Sequence, residues 1–431
     1  MATIFPFRAL RYNPGRVDVQ RVVTQPYDKI TPAMQQRYYA ASPYNLVRII
    51  LGKREPADDE KSNVYTRAAD DFRRWRSEGV LRPDAAASLY AYSQEFRAPG
   101  TEKMGTRRGF IGLGQIEPYE AGVVFRHEQT LSAPKQDRLN LLRATRAHFG
   151  QIFMLYSDPG REVETQLFRD AKPTIEVTDE YGVVHRIWAV PEVERVEAAT
   201  RAMADKKLII ADGHHRYETA LRYRDERRAG GGKADGNQAY DRVMMTFVNV
   251  DAPGLVILPT HRVVHGLEDF QAGEMVRVAR NFFAVEDITS RFDPERPTAA
   301  LAAGGEGTAL LAVTKGNKFL MRAPAGARHA SMEGLSSRQA ELDVVRLHRV
   351  VLGSVLGMSE ESIREQKHIE YVRDAKEAVA RVQGGANVAF LMNPARIEQV
   401  RDIAFAGEVL PQKSTDFYPK MLSGLTIYAL E

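Results

Sequence analysis

Between positions 208 and 221 the sequence reads LIIADGHHRYETAL, and five consecutive residues in it, Asp212, Gly213, His214, His215 and Arg216, are of types that handle anions and protons. The arginine and a histidine supply charge-assisted donors, each worth roughly 1.5–3 kcal/mol to a phosphate oxygen. The glycine lets backbone approach a ligand closely, and the carboxylate is a possible Mg²⁺ ligand. The chemistry implied is the holding of a phosphate group. The flanking residues agree: Leu208-Ile209-Ile210 is a short apolar run of buried-strand character, and a helix is predicted over 216–228 with Glu218 and Arg222 paired at i, i+4. A strand-to-helix junction leaves backbone N–H groups without intrahelical partners at the positive end of the helix dipole. That dipole contributes about 0.3–1 kcal/mol, against about 8 for micromolar affinity, so neighbouring cations must supply much of the rest. The alternative is local: Asp212 caps the helix and the histidines satisfy nearby polar groups.

Two further stretches offer chemistry. HEQTLSAPKQDRLNLLRATR, over 127–146, contains His127, Glu128, Thr130, Lys135, Asp137, Arg138 and Arg143. Pro134 divides it into an extended arm and a helix starting near Lys135, with basic groups beside an apolar stripe. QKSTDFYPK, over 412–420, offers Lys413, Ser414, Thr415, Tyr418 and Lys420 between two prolines, a set compatible with phosphate or with a plain surface loop. His261 and Arg262 follow an apolar run and are read as standing at a strand end, in a structural role. No GxxxxGK[ST], HExxH or GxSxG pattern occurs, which disfavours P-loop kinases, zincins and α/β-hydrolases.

The elements that must position these residues alternate irregularly. Strands are expected over 89–96, 109–116, 151–156, 208–211, 243–250, 308–313, 318–321, 388–392 and 425–430, with a hairpin turning at Lys315-Gly316-Asn317. Helices are expected over 63–78, 194–206, 216–228, 271–283, 338–356 and 374–383. This mixture predicts an α/β (mixed α+β) fold in two regions, 1–290 with the HEQT and DGHHR motifs and 291–431 with the QKSTDFYPK loop. Loops rich in Gly and Ala are read over 228–238 and 294–308.

Among 431 residues there is no cysteine, which excludes disulfides, thiolate nucleophiles and sulfur-ligated metals; any metal would rest on His, Asp or Glu. The net charge of +4 is spread along the chain without a basic tail. It suits anionic small molecules, and no helix-turn-helix or concentrated basic stripe points to nucleic acid. No window reaches the roughly 18–20 apolar residues of a membrane span, and a cytoplasmic location is expected. Oligomeric state has no signature in the sequence.

The DGHHR box before a helix resembles the phosphate-binding box of the ParB/sulfiredoxin superfamily, most closely its free-serine kinase branch. Over its full length the chain is similar to an uncharacterised family of bacterial and archaeal proteins, through Pro26-Tyr27-Asp28, His127 to Thr130, Lys135 with Asp137-Arg138-Leu139, Ala211 to Leu221, Leu258 to Arg262 and Gln412 to Lys420. The first resemblance implies a ParB/sulfiredoxin-like core with an additional α/β domain, and a kinase using ATP or ADP with Mg²⁺ on a small hydroxylated metabolite, free L-serine being the first candidate. In that scheme Asp212, Gly213, His214, His215, Arg216, Lys135, Arg138, Lys413, Ser414 and Thr415 bind the nucleotide phosphates, Asp212 lies near the metal, and Glu128, with Asp28 in reserve, acts as base; His215 is a further catalytic candidate. Two alternatives stand beside it: a metal-dependent hydrolase using Asp212, His214, His215, His127 or His261, and a ParB-like nucleotide or nucleic-acid binding module.

Overall fold

Strands Ile152–Tyr156 (IFMLY) and Arg242–Asn249 (RVMMTFVN) are almost continuously apolar and almost wholly buried, so both faces of the sheet around them must be covered. In the computed structural model, which describes residues 2–128, 132–169, 171–302 and 307–430, these two strands run parallel at the middle of a nine-stranded sheet. Its order is Val124–Phe125, Leu208–Asp212, Ile152–Tyr156, Arg242–Asn249, Met104–Gln115, Leu89–Arg97, Val184–Val190 and Ile175–Thr178, with Ile4–Phe5 pairing Met104–Gln115 as well. Most neighbours are antiparallel, and the fold is mixed α/β.

The chain forms two compact units. One comprises Met1–Arg126, Thr130–Val256 and Tyr418–Glu431; the other comprises His127–Gln129 and Ile257–Phe417. The first is built on the nine-stranded sheet, whose core includes Phe110, Met154, Ile210, Tyr217, Met245 and Phe247. A second cluster in this unit gathers Phe72, Trp75, Phe149 and Ile427 beneath helix Val64–Ser77, whose Asn63 cap receives the Tyr65 and Thr66 amides. The other unit carries a six-stranded antiparallel sheet in the order Ala284–Asp287, Lys318–Ala323, Thr308–Val313, Val388–Met392, His261–Val264 and Ile369–Val372. The hairpin expected around Lys315-Gly316-Asn317 joins Thr308–Val313 to Lys318–Ala323.

The helix expected over 338–356 is three pieces: Ser337–Ala340, Asp343–Arg346 and a wide π-type turn over Leu347–Val355. Leu342 is extended (φ −82°, ψ 129°) and breaks the ladder, and Arg346 donates from Nε to the Ala340 carbonyl at 2.8 Å. His261 begins a strand instead of ending one. It is 1% exposed, its Nδ1 accepts the Met392 amide at 3.3 Å, and burial, reinforced by Arg262, lowers its pKa to about 4. The sign follows directly. The unfolded chain takes up this proton near pH 6.5 and the folded chain only near 4, so the stability present above 6.5 is lost as the pH falls through that window, up to roughly 3 kcal/mol. Imidazole NMR, with His261→Gln assigning the signal, should show a midpoint near pH 4; a midpoint near 6.5 would refute the burial argument.

Candidate functional site: a glycine-led helix start with its cations

Strand Leu208–Asp212 shifts register between Ile210 and Asp212 in its pairing with Ile152–Tyr156, so a bulge delivers the Asp212 side chain at the strand end. Gly213 follows with φ +96°, a conformation L side chains rarely adopt, and a Cβ there would meet the Arg216 guanidinium at 3.0–3.1 Å. Helix His214–Ala229 then begins, with Gly213 itself as the N-cap residue. The helix therefore starts two residues earlier than expected from the sequence, and both histidines lie in its first turn. His214 is buried and His215 half-buried, and the His215 carbonyl accepts the Thr219 hydroxyl at 2.7 Å.

Asp212 does not cap the helix. Its Oδ2 accepts from Arg216 Nη2 at 2.7 Å and its Oδ1 from Lys420 Nζ at 3.0 Å. Burial pushes this carboxyl up, but the charges of Lys420, Arg216 and Lys29 overcome it and hold the group ionised far below the usual carboxylate range. Arg216 Nη1 also donates to the Gln151 carbonyl, so the guanidinium is gripped from two sides. Asp212, expected as a metal-side ligand, thus has both oxygens engaged by cations. Among the described residues no group of three or more His, Asp or Glu is arranged to hold a metal ion, and the hydrolase scheme gains no ligand set from them.

The segment Pro26-Tyr27-Asp28-Lys29 stands close by. Pro26, Tyr27, Arg138 and Arg216 line one small cavity of about 70 Å³, and the Arg138 guanidinium lies 4.1 Å from the centre of the Tyr27 ring. Burial raises the Tyr27 phenol, Asp28 adds to the rise, and Arg138 and Arg216 oppose it. Asp28 itself is exposed. Arg138 also donates to Asp137 and to the Ile50 carbonyl, and Lys135 Nζ pairs with Glu218 Oε2 at 2.9 Å, tying helix Ser132–Thr145 to the helix that follows Gly213. Arg143 forms a two-pronged pair with Glu226.

Sequence reasoning missed what holds Lys420 in place. Gln94 Nε2 donates to the Lys420 carbonyl at 2.9 Å. Arg107, 1% exposed, donates to Gln94 Oε1 and to the Tyr418 and Pro419 carbonyls, with Nη1 at 3.0 Å from Tyr418. A buried arginine of this kind has no local signature, since its carbonyl partners lie 311 and 312 positions away.

Glu128, Lys413, Ser414 and Thr415 assemble separately, in the second unit. Glu128 Oε1 accepts the Lys413 amide at 2.7 Å, His127 Nε2 lies 2.8 Å from Thr415 Oγ1, and Ser414 Oγ donates to the Pro411 carbonyl at 2.5 Å. The fully buried Arg262 donates to the Gln412 and Lys413 carbonyls at 3.4 and 3.2 Å. The HEQT and QKST stretches, remote in sequence, thus form one bonded cluster; Gln129 and Thr130 lie outside the described residues.

A family model described as a protein of unknown function, DUF1015, matches residues 4–345. The chain belongs to the DUF1015 family. No curated protein matches this DUF1015 chain. Among solved structures it is similar to a mutant free serine kinase in complex with ADP, at 12% identity over 68% of this chain and 84% of that one, with a TM-score of 0.35. It is also similar to a conserved hypothetical protein from Pyrococcus furiosus (13%, 68% and 87%, TM-score 0.33). A third is C-terminally truncated SbnI from Staphylococcus aureus (10%, 73% and 85%, TM-score 0.36). No helix among the described residues is long and apolar enough to cross a membrane.

Proposed function

We propose that this chain is a nucleotide-dependent phosphotransferase acting on a small hydroxylated metabolite, with free L-serine the first acceptor to test. One observation carries the reading: a helix begins at a left-handed Gly213 beside Lys29, Arg138, Arg216 and Lys420. A helix start among clustered cations favours an anion, and Gly213, His214, His215 and Arg216 would hold the donor phosphates. Lys135 and Arg138 add positive charge near the same helix. The resemblance of DGHHR to the ParB/sulfiredoxin phosphate box points to the same role.

The base role passes from Glu128 to Asp28. Glu128 is engaged with the Lys413 amide, whereas Asp28 is exposed and adjoins Tyr27, which lines the Arg216 cavity. Asp28 would take the hydroxyl proton as the acceptor oxygen attacks the terminal phosphorus, and the P–O bond to the departing nucleotide breaks. Arg216, Lys420 and the helix start would stabilise the charge that develops. Because Asp212 is taken by two cations, Mg²⁺ would arrive with the nucleotide and is given no protein carboxylate here.

The test combines calorimetry with ATP, ADP, AMP and pyrophosphate, each with and without Mg²⁺, and ³¹P NMR of serine incubated with the donor that binds. Asp28→Asn should keep nucleotide affinity and lower turnover by about 10²–10⁴-fold. Absence of nucleotide binding in the wild type would end the kinase reading, and normal turnover in Asp28→Asn would end the assignment of the base.

A further inference from the structure

The second unit contains a polar cavity of about 600 Å³, within the range of small-molecule sites. Strands Thr308–Val313 and Val388–Met392 run antiparallel with Leu310 opposite Met392, so the start of one and the end of the other meet at the cavity. Thr308, Asp343, Arg346, Asn393, Arg396 and Ser414 line it. Ordinary cores do not collect such a set.

Three features suggest that a ligand completes it. Thr308 is 2% exposed, yet its hydroxyl has no hydrogen-bond partner, a costly state for a buried polar atom. Burial raises the Asp343 carboxyl to about 6; Thr308, Arg346, the Ala309 amide and Arg396 oppose the rise. Arg396 stands exposed at the start of helix Ile397–Phe405, near enough to influence Asp343 but not paired with it. Arg346, 3% exposed, is fixed by bonds to the Ala340 and Ala327 carbonyls at 2.8 and 2.9 Å.

A carboxylate and a guanidinium thus face one cavity, close but unjoined, with an orphan hydroxyl between strand ends. We propose that this cavity binds a free α-amino acid, its ammonium taken by Asp343 and Thr308 and its carboxylate by Arg396 at the positive end of helix Ile397–Phe405. A dicarboxylate would leave Asp343 opposed by like charge, and a diamine would leave Arg396 opposed. The zwitterion matches both. The proposal does not rest on the phosphate site proposed in the first unit.

The test is calorimetry of the full chain with each of the twenty common L-amino acids, followed by the decarboxylated and deaminated analogues of any that bind. At least one amino acid should bind and its analogues should not. Asp343→Asn and Arg396→Gln should each weaken binding at least tenfold. Arg396 is exposed, so its variant keeps the fold and the test remains decisive even if Asp343→Asn does not fold. Absence of binding by every amino acid, or binding that survives Arg396→Gln, would overturn the proposal.

Discussion

Arg216→Ala is expected to abolish the thermal stabilisation that ADP or ATP gives the wild type, and to lower the melting temperature of the unliganded chain as well. Both effects follow from the same guanidinium. On the ligand side, Arg216 sits in the first turn of the helix that follows Gly213, and loss of one charge-assisted contact of roughly 1.5–3 kcal/mol weakens binding about 10- to 150-fold. On the protein side, Arg216 bridges Asp212 and the Gln151 carbonyl, so truncation leaves a buried carboxylate with one cation fewer. Arg216→Lys separates the two: it keeps a charge for Asp212 while losing the planar fork that reaches two acceptors at once. The lysine variant should recover much of the melting temperature and little of the nucleotide response, read by a thermal-shift titration. Full nucleotide response in Arg216→Ala would remove this residue from the site.

The boundaries of these elements show what the sequence carries. The strand before Asp212 and the helix after it were legible because apolar runs and i, i+4 pairs are local properties, and strands Thr308–Val313 and Val388–Met392 were found to the residue for the same reason. The helix start was misplaced by two residues because Gly213 ends the strand in a left-handed turn, and the glycine letter does not state its φ. The hairpin of Ile175–Thr178 and Val184–Val190 went unread although its alternation is visible, since TDEYG between the strands is charged and resembles a loop. The expected strand over 425–430 shrinks to Tyr428–Ala429 paired with Ala147–His148, because the strand period says nothing about whether a partner of equal length exists. The site divides the same way. DGHHR announced itself through residue types packed together, and Pro26-Tyr27-Asp28 was singled out by resemblance. That Tyr27, beside Asp28, shares a cavity with Arg216, and that Glu128 accepts the Lys413 amide, are tertiary facts with no mark in the local sequence.

Lys420 gives the sharpest test of such a tertiary fact. It lies 208 positions from Asp212, is 9% exposed, and donates to Asp212 Oδ1. Lys420→Met removes one of two cations from a half-buried carboxylate while keeping most of the apolar stem, and the cost should fall below the about 3–5 kcal/mol of a fully buried pair broken from one side. Asp212→Asn alone should cost less, because two buried cations lose a charge but keep an oxygen acceptor. The double variant should regain much of the loss, giving a coupling energy of about 1–3 kcal/mol in a double-mutant cycle from chemical denaturation of the first unit's signal. The pH dependence supplies the sign. Asp212 has its pKa held far below the unfolded value, so its contribution is present above about pH 4 and is lost as the solution is acidified. Without Lys420 the carboxyl rises, so the Lys420→Met variant loses less on going from pH 6 to pH 3 than the wild type does. Additive effects in the cycle, with equal acid sensitivity in both proteins, would mean that Lys420 merely packs beside Asp212. Strong coupling would establish that the last strand region, held by Gln94 and Arg107, fixes the charge on which Arg216 is aligned.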